Sequence, residues 1–100
     1  MNKWVLQAVV FKIEPLRYTP SGIPLLSLVL QHDSEQLEAG MKRKVGCEVN
    51  AVILGALTLE QFTKLKIEVG SQIVATGFLA KRSLKSTQMV MHINHIELIS

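Results

Sequence analysis

Cysteine is almost missing: Cys47 is the only one in 100 residues. One thiol excludes an internal disulfide framework and a cysteine-rich zinc site. Aromatic residues are few, at 5%, which excludes a surface paved with stacking rings. Proline and glycine, at 3 and 6, are too few for a collagen-like or low-complexity chain. Charged residues make up 19%, below the quarter usual for a soluble domain. No apolar run approaches the length of a membrane-spanning helix, so no membrane partner is expected. The apolar start, Met1 to Phe11, carries Lys3 and is ended by Glu14 and Pro15. It has neither a long apolar centre nor a small-residue cleavage site, so export is not expected and a cytoplasmic location is.

Hydrophobic residues are plentiful at 48%, enough to build one core in a single domain spanning residues 1–100. The charge is unevenly placed. Lys42, Arg43 and Lys44 are consecutive, and Lys81, Arg82 and Lys85 share one short segment. Those clusters hold six of the 11 bases, leaving five against eight acids elsewhere. A weakly acidic body with two basic segments predicts a directed patch for an anionic partner. The plainer alternative is two solvated turns that keep the protein in solution.

Five segments have strand character. The first runs from Lys3 to Lys12, followed by a turn at Pro20-Ser21-Gly22. The second, Pro24 to His32, alternates Leu26, Leu28 and Leu30 with Ser27, Val29 and Gln31, the period-two pattern of a half-buried strand. Asp33 to Gly40 is polar and reads as a loop. The third strand, Lys42 to Asn50, sets Val45, Cys47 and Val49 on one face, which makes Cys47 a small buried hydrophobe. Ala51 to Lys66 reads as the one helical stretch. Thr58 and Gln61 have capping-box spacing, and Leu59, Phe62 and Leu65 form an apolar stripe.

The fourth strand, Gln72 to Leu79, places Ile73, Ala75 and Gly77 opposite Val74, Thr76 and Phe78. The fifth runs from Gln88 to Ile99. Met89, Met91 and Ile93 set its apolar face, which then slips to Ile96 and Leu98. A one-residue slip predicts a β-bulge, and a strand glycine permits the bending that barrel closure needs. Strands with one short helix after the third describe an all-β, five-stranded OB-fold barrel. An SH3-like barrel and a small α+β sandwich are the competitors.

Catalytic equipment is not found. The carboxylates are scattered without acid–base spacing, and no glycine-rich phosphate loop occurs. His92 and His95 lie three apart in a strand and face opposite ways unless the bulge realigns them. His32 is isolated. No metal site, cofactor or enzymatic activity is expected.

A binding surface is the positive expectation. The loop between strands four and five carries Lys81, Arg82 and Lys85, and Lys42, Arg43 and Lys44 open strand three. Both suit a groove that follows a phosphate backbone. Arg17 and Tyr18 lie in the first loop, Met41 adjoins the basic run, and Phe78 is placed to point outward near the basic loop. The first strand is apolar on both faces at Trp4-Val5-Leu6, so these residues are expected at a homodimer interface.

Several stretches share an order and spacing that cover nearly the whole chain. They are Pro15-Leu16-Arg17, Pro20-Ser21-Gly22-Ile23-Pro24, Val69-Gly70-Ser71, Gly77-Phe78, Met89-Val90-Met91-His92 and Ile96-Glu97-Leu98-Ile99. On these residues the sequence resembles the PriB family, the primosomal replication protein N of bacteria, an OB-fold relative of single-stranded DNA-binding proteins. The resemblance implies a non-catalytic homodimer that binds single-stranded DNA. It implies action with the PriA helicase at abandoned replication forks, and DnaT as a further partner. It puts the family's basic loop on Lys81, Arg82 and Lys85. The family's DNA-contacting aromatics near strand three fall on Met41 and Gly46. Gly46 offers no ring, and stacking is worth roughly 1–3 kcal/mol per base, so weaker DNA binding than in ring-bearing relatives is expected. An RNA-binding OB module and a protein-binding adaptor are the alternatives.

Overall fold

Leu26, Leu28 and Leu30 alternate with polar or half-exposed neighbours, and all three are buried. Similar inward-facing positions on the barrel part of each long strand assemble the core. The computed structural model describes residues 1–100. It contains β1 (Trp4–Ile13), β2 (Arg17–Tyr18), β3 (Pro24–Glu38), β4 (Met41–Leu54), α1 (Ala56–Lys64), β5 (Gln72–Lys81) and β6 (Met89–Leu98). Neighbouring strands follow the order β1-β5-β6-β4-β3-β2, and β1 also pairs with β3. That second pairing closes the five long strands into the OB-fold barrel. The two-residue β2 is an addition on the outside of β3.

Two irregularities make closure possible. β1 pairs with β5 from Trp4 to Val9 and with β3 from Val9 to Ile13, with a register shift at Phe11. A bulge bends a strand and lets one chain serve two sheets. On β6, His95 faces Thr76 and Ile93 faces Gly77, which leaves Asn94 unpaired. This is the bulge that the slipped apolar phase predicts. The seam between β4 and β6 is short and parallel, with Ala51 opposite Met91 and Val52 opposite His92.

The core includes Val10, Leu28, Leu30, Ile53, Ile73 and Met91, and no polar or charged residue is buried with them. Helix α1 closes one end of the barrel with Phe62, while Leu59 and Leu65 pack partly buried beside it. The expected stripe is therefore the packed face. Met89 and Leu98, at the two ends of β6, are exposed instead of joining the core.

Four expectations are corrected. The helix starts at Ala56, not Ala51, because Ala51 to Leu54 continue β4 and pair with Leu25 to Leu28. Sheet pairing and burial of Ala51 and Ile53 decide for strand in a short apolar run that suits either state. Thr58 does not cap the helix; Gly55 holds that position at φ 105, with no side-chain cap.

Asp33 to Glu38 is strand, not loop. β3 and β4 continue as a two-stranded ribbon, paired out to Glu38 and Met41. Ala39 and Gly40, at φ 53 and 74, make the tight turn between them. Cys47, expected to be buried, is exposed on this ribbon. Pairing between β3 and β1 stops at Gln31, so no third strand backs the ribbon beyond that point. His32 marks the departure: its Nδ1 donates to the Gln7 carbonyl at 2.6 Å, and its Nε2 lies 2.8 Å from the Ser34 hydroxyl.

Candidate nucleic-acid interface

Residues that turn away from the core on β3 and β4 form the floor of an open groove of about 710 Å³. Ser27 and Val29 come from β3, and Asn50 and Val52 from β4. One wall is Glu14, Pro15 and Arg17, with the Glu14 carboxylate paired to Lys12 at 3.2 Å; the other is Lys81, Arg82 and His92. An open floor of mixed polarity with cations on both sides suits a flexible anionic polymer better than a small apolar ligand.

Each wall has a local cause. Arg17 and Tyr18 are held by the short pairing of β2 with Leu25 and Pro24 of β3. The turn that follows is fastened by the Gly22 amide donating to the Thr19 carbonyl and the Thr19 amide to the Ile23 carbonyl, both at 2.8 Å. Arg17 reaches across the floor to within 3.4 Å of the Ser27 hydroxyl, while Tyr18 is exposed. β5 runs on to Lys81, so this base stands on a strand end and not in the loop. The loop is closed by the Arg82 amide donating to the Gln88 carbonyl at 3.0 Å and the Ser86 amide to the Ser83 carbonyl at 3.2 Å. Lys85 sits exposed at its tip. Ion pairs in the chain use Lys12, Lys42, Arg43, Lys64 and His95, which leaves Arg17, Lys81, Arg82 and Lys85 without carboxylate partners.

The second basic cluster stands apart. Lys42, Arg43 and Lys44 lie near the tip of the ribbon, opposite Leu37, Gln36 and Glu35. Alternation puts Lys42 and Lys44 on the same face as Asn50 and Val52, and Arg43 on the other with Met41. Glu38 takes Arg43 at 3.1 Å, and Glu35 takes Lys42 at 3.8 Å. Exposed pairs of this kind contribute about 0–1 kcal/mol and can exchange for phosphate. Between tip and groove, the same face carries Asp33, Glu35 and Glu48. The structure thus brings Arg17, Lys81 and Arg82 together and keeps Lys42, Arg43 and Lys44 separate, across an acidic stretch.

Trp4 and Val5 are exposed, at 45% and 61%, whereas Leu6 packs against the core. The β1 edge from Trp4 to Ala8 pairs only with β5.

Two contributors to the groove have weak sequence signals. Asn50 ends the alternating run of strand three, where polarity alone says nothing. His92 is an unremarkable strand histidine until the bulge is placed. With Asn94 unpaired, His92 and His95 face Phe78 and Thr76, so both lie on the outer surface. The Phe78 and His92 rings stack, with centroids 5.0 Å apart and planes 7° apart. His95 turns instead to Glu97 at 3.3 Å. No group of three or more His, Cys, Asp or Glu residues is arranged to hold a metal ion.

Comparison with known proteins gives a consistent pattern. Residues 2–95 match a family model described as another single-strand binding protein family. Replication restart protein PriB of Neisseria meningitidis serogroup B is 37% identical over 92 residues, 92% of this chain and 88% of the relative. The protein of that name from Bordetella pertussis is 35% identical over 100 residues, covering 100% of this chain and 91% of the relative. The solved PriB structure from Ralstonia solanacearum superposes with a TM-score of 0.82 at 29% identity, covering 100% of this chain and 99% of that one. The dimeric N-terminal domain of PriB from Thermoanaerobacter tencongensis shares the fold, with a TM-score of 0.69 at 16% identity, covering 99% of this chain and 97% of that one.

Proposed function

The chain belongs to the PriB family of replication restart proteins, and from that membership we propose that it is a single-stranded DNA-binding accessory protein of the replication-restart primosome. As a family member it is a binding protein and not an enzyme. It acts beside the PriA helicase at abandoned forks, with DnaT as a further partner, and it works as a homodimer. The free β1 edge at Trp4 and Val5 is where a second copy adds, since an unpaired apolar strand edge is satisfied by another strand. Two copies on one strand gain avidity.

The convergence of Arg17, Lys81 and Arg82 on one groove carries the DNA reading. These cations have no internal carboxylate partners, so their charge is available to phosphate. Lys85 and Tyr18 extend the contact at the two rims. Met41, Lys42, Arg43 and Lys44 supply a separate outer contact on the ribbon. Phosphate contacts position a strand without reading its sequence, so binding has little base preference.

The test is a titration with a thymidine oligomer at several salt concentrations. If about four to six bases meet phosphates, the log–log slope is about −3 to −4. A slope near zero overturns the basic-groove reading. PriA binding is measured in parallel with a Lys81/Arg82/Lys85 triple alanine variant, which separates DNA contact from partner contact. Intact helicase binding with no DNA affinity even at low salt would make the chain a protein adaptor. A matched RNA oligomer that binds more tightly would make it an RNA module.

A further inference from the structure

The chain has few rings, and the two ribbon positions where the resemblance implies aromatics are Met41, at the tip, and Gly46. Gly46 lies opposite Asp33, beside Lys44 and two residues from Glu48 on the same face. A nucleobase stacked there brings its phosphate to the acidic stretch, which repels it. The groove has the opposite character, and it has a ring pair beside it.

Phe78 is 40% exposed although its strand neighbours Gly77 and Leu79 turn inward. It stacks flat on His92, which itself lines the groove between Lys81, Arg82 and Val52. Unlike His32 and His95, His92 is held by stacking and not by a hydrogen bond to another side chain or carbonyl. Its ring edge remains available to a ligand. Parallel offset rings extend one π surface, and a base can continue that stack while its phosphates meet the neighbouring cations.

We propose that the stacked Phe78–His92 pair is the nucleobase platform of the groove, in the place of rings on the ribbon. This deepens the DNA-binding reading above and rests on it. The platform adds a base-dependent attraction to a site otherwise governed by phosphate contacts, and it accepts any base because each has a π face.

The experiment compares wild type with Phe78→Leu on two probes: a thymidine oligomer and an oligomer of abasic sites of the same length. Phe78→Leu keeps apolar bulk and removes the ring. The expected result is a loss of about 5- to 150-fold on the thymidine oligomer, the worth of one stacked base. The salt slope stays unchanged, since no phosphate contact is removed. On the abasic probe, wild type and variant bind alike. Equal affinity of the two proteins for thymidine oligomer overturns the platform, as does an equal loss on both probes. Failure of wild type to bind either probe overturns the DNA reading and the platform with it.

A second measurement needs no variant. Photocrosslinking of a 5-bromodeoxyuridine oligomer to the intact protein is expected to label Phe78 or His92. Labelling confined to Met41 or Tyr18 overturns the proposal.

Discussion

A Cβ at Gly77 would lie 1.8 Å from the carbonyl oxygen of His92 across the β5–β6 pair. The atom in the way is backbone, so no side-chain rotation relieves it. Gly77 sits opposite Ile93 where the register shifts, and its missing side chain lets the bulged strand approach. The Gly77→Ala variant is expected to lose about 1–3 kcal/mol, or more if the bulge unseats, by overpacking at a closed site. A lowered midpoint in urea unfolding, with an unchanged slope, is the reading that checks it. An unchanged midpoint would show that the bulge relaxes freely.

The groove cations make a separate, electrostatic prediction. Replacing Lys81, Arg82 and Lys85 together with alanine removes up to three phosphate contacts. Each contact accounts for about 0.7 of the log–log slope on single strands, so the slope shrinks by about two. All three residues are exposed or half-exposed, and thermal stability stays near that of wild type.

Charge on the ribbon can be edited the other way. The Asp33→Asn/Glu48→Gln double variant removes two carboxylates from the face that joins the groove to Lys42 and Lys44. Affinity for long oligomers is expected to rise, while affinity for oligomers that fill only the groove changes little. Comparing short and long thymidine oligomers checks this. An equal gain at both lengths would mean the acidic stretch acts only through net charge.

Assembly tests the β1 edge. Val5→Arg places a charge on the exposed strand surface beside Trp4, where no core contact is disturbed. The variant is expected to sediment as a folded monomer at concentrations where wild type is a dimer. Identical sedimentation would move the interface to another face.

The barrel strands were legible because each has a core behind it. Leu26, Leu28 and Leu30 alternate with period two, and the slip from Ile93 to Ile96 records the bulge directly. The stripe Leu59, Phe62 and Leu65 likewise announced the packed face of α1. The ribbon was not legible. From Asp33 to Glu38 both faces meet water, so no alternation is needed, and a polar strand resembles a loop. Cys47 failed for the same reason, since of Val45, Cys47 and Val49 only Val49 is near enough to the barrel to pack against its core. Ala51 to Leu54 were ambiguous because short apolar runs suit helix and strand alike, and only pairing with β3 decides.

By itself the scarcity of cysteine and rings, the apolar phases and the two basic runs determined a small barrel that carries two concentrated basic segments. These are local quantities, carried by residue type and spacing. Tertiary structure decided which charges act together. Lys81 and Arg82 meet Arg17 across about 65 residues of chain, because barrel closure folds β2 and the end of β5 onto one groove. Lys42, Arg43 and Lys44 are left outside, because the ribbon leaves the barrel where β1 stops pairing with β3. Coulomb attraction depends on distance in space and on the sign of intervening charges, and neither is a property of sequence order.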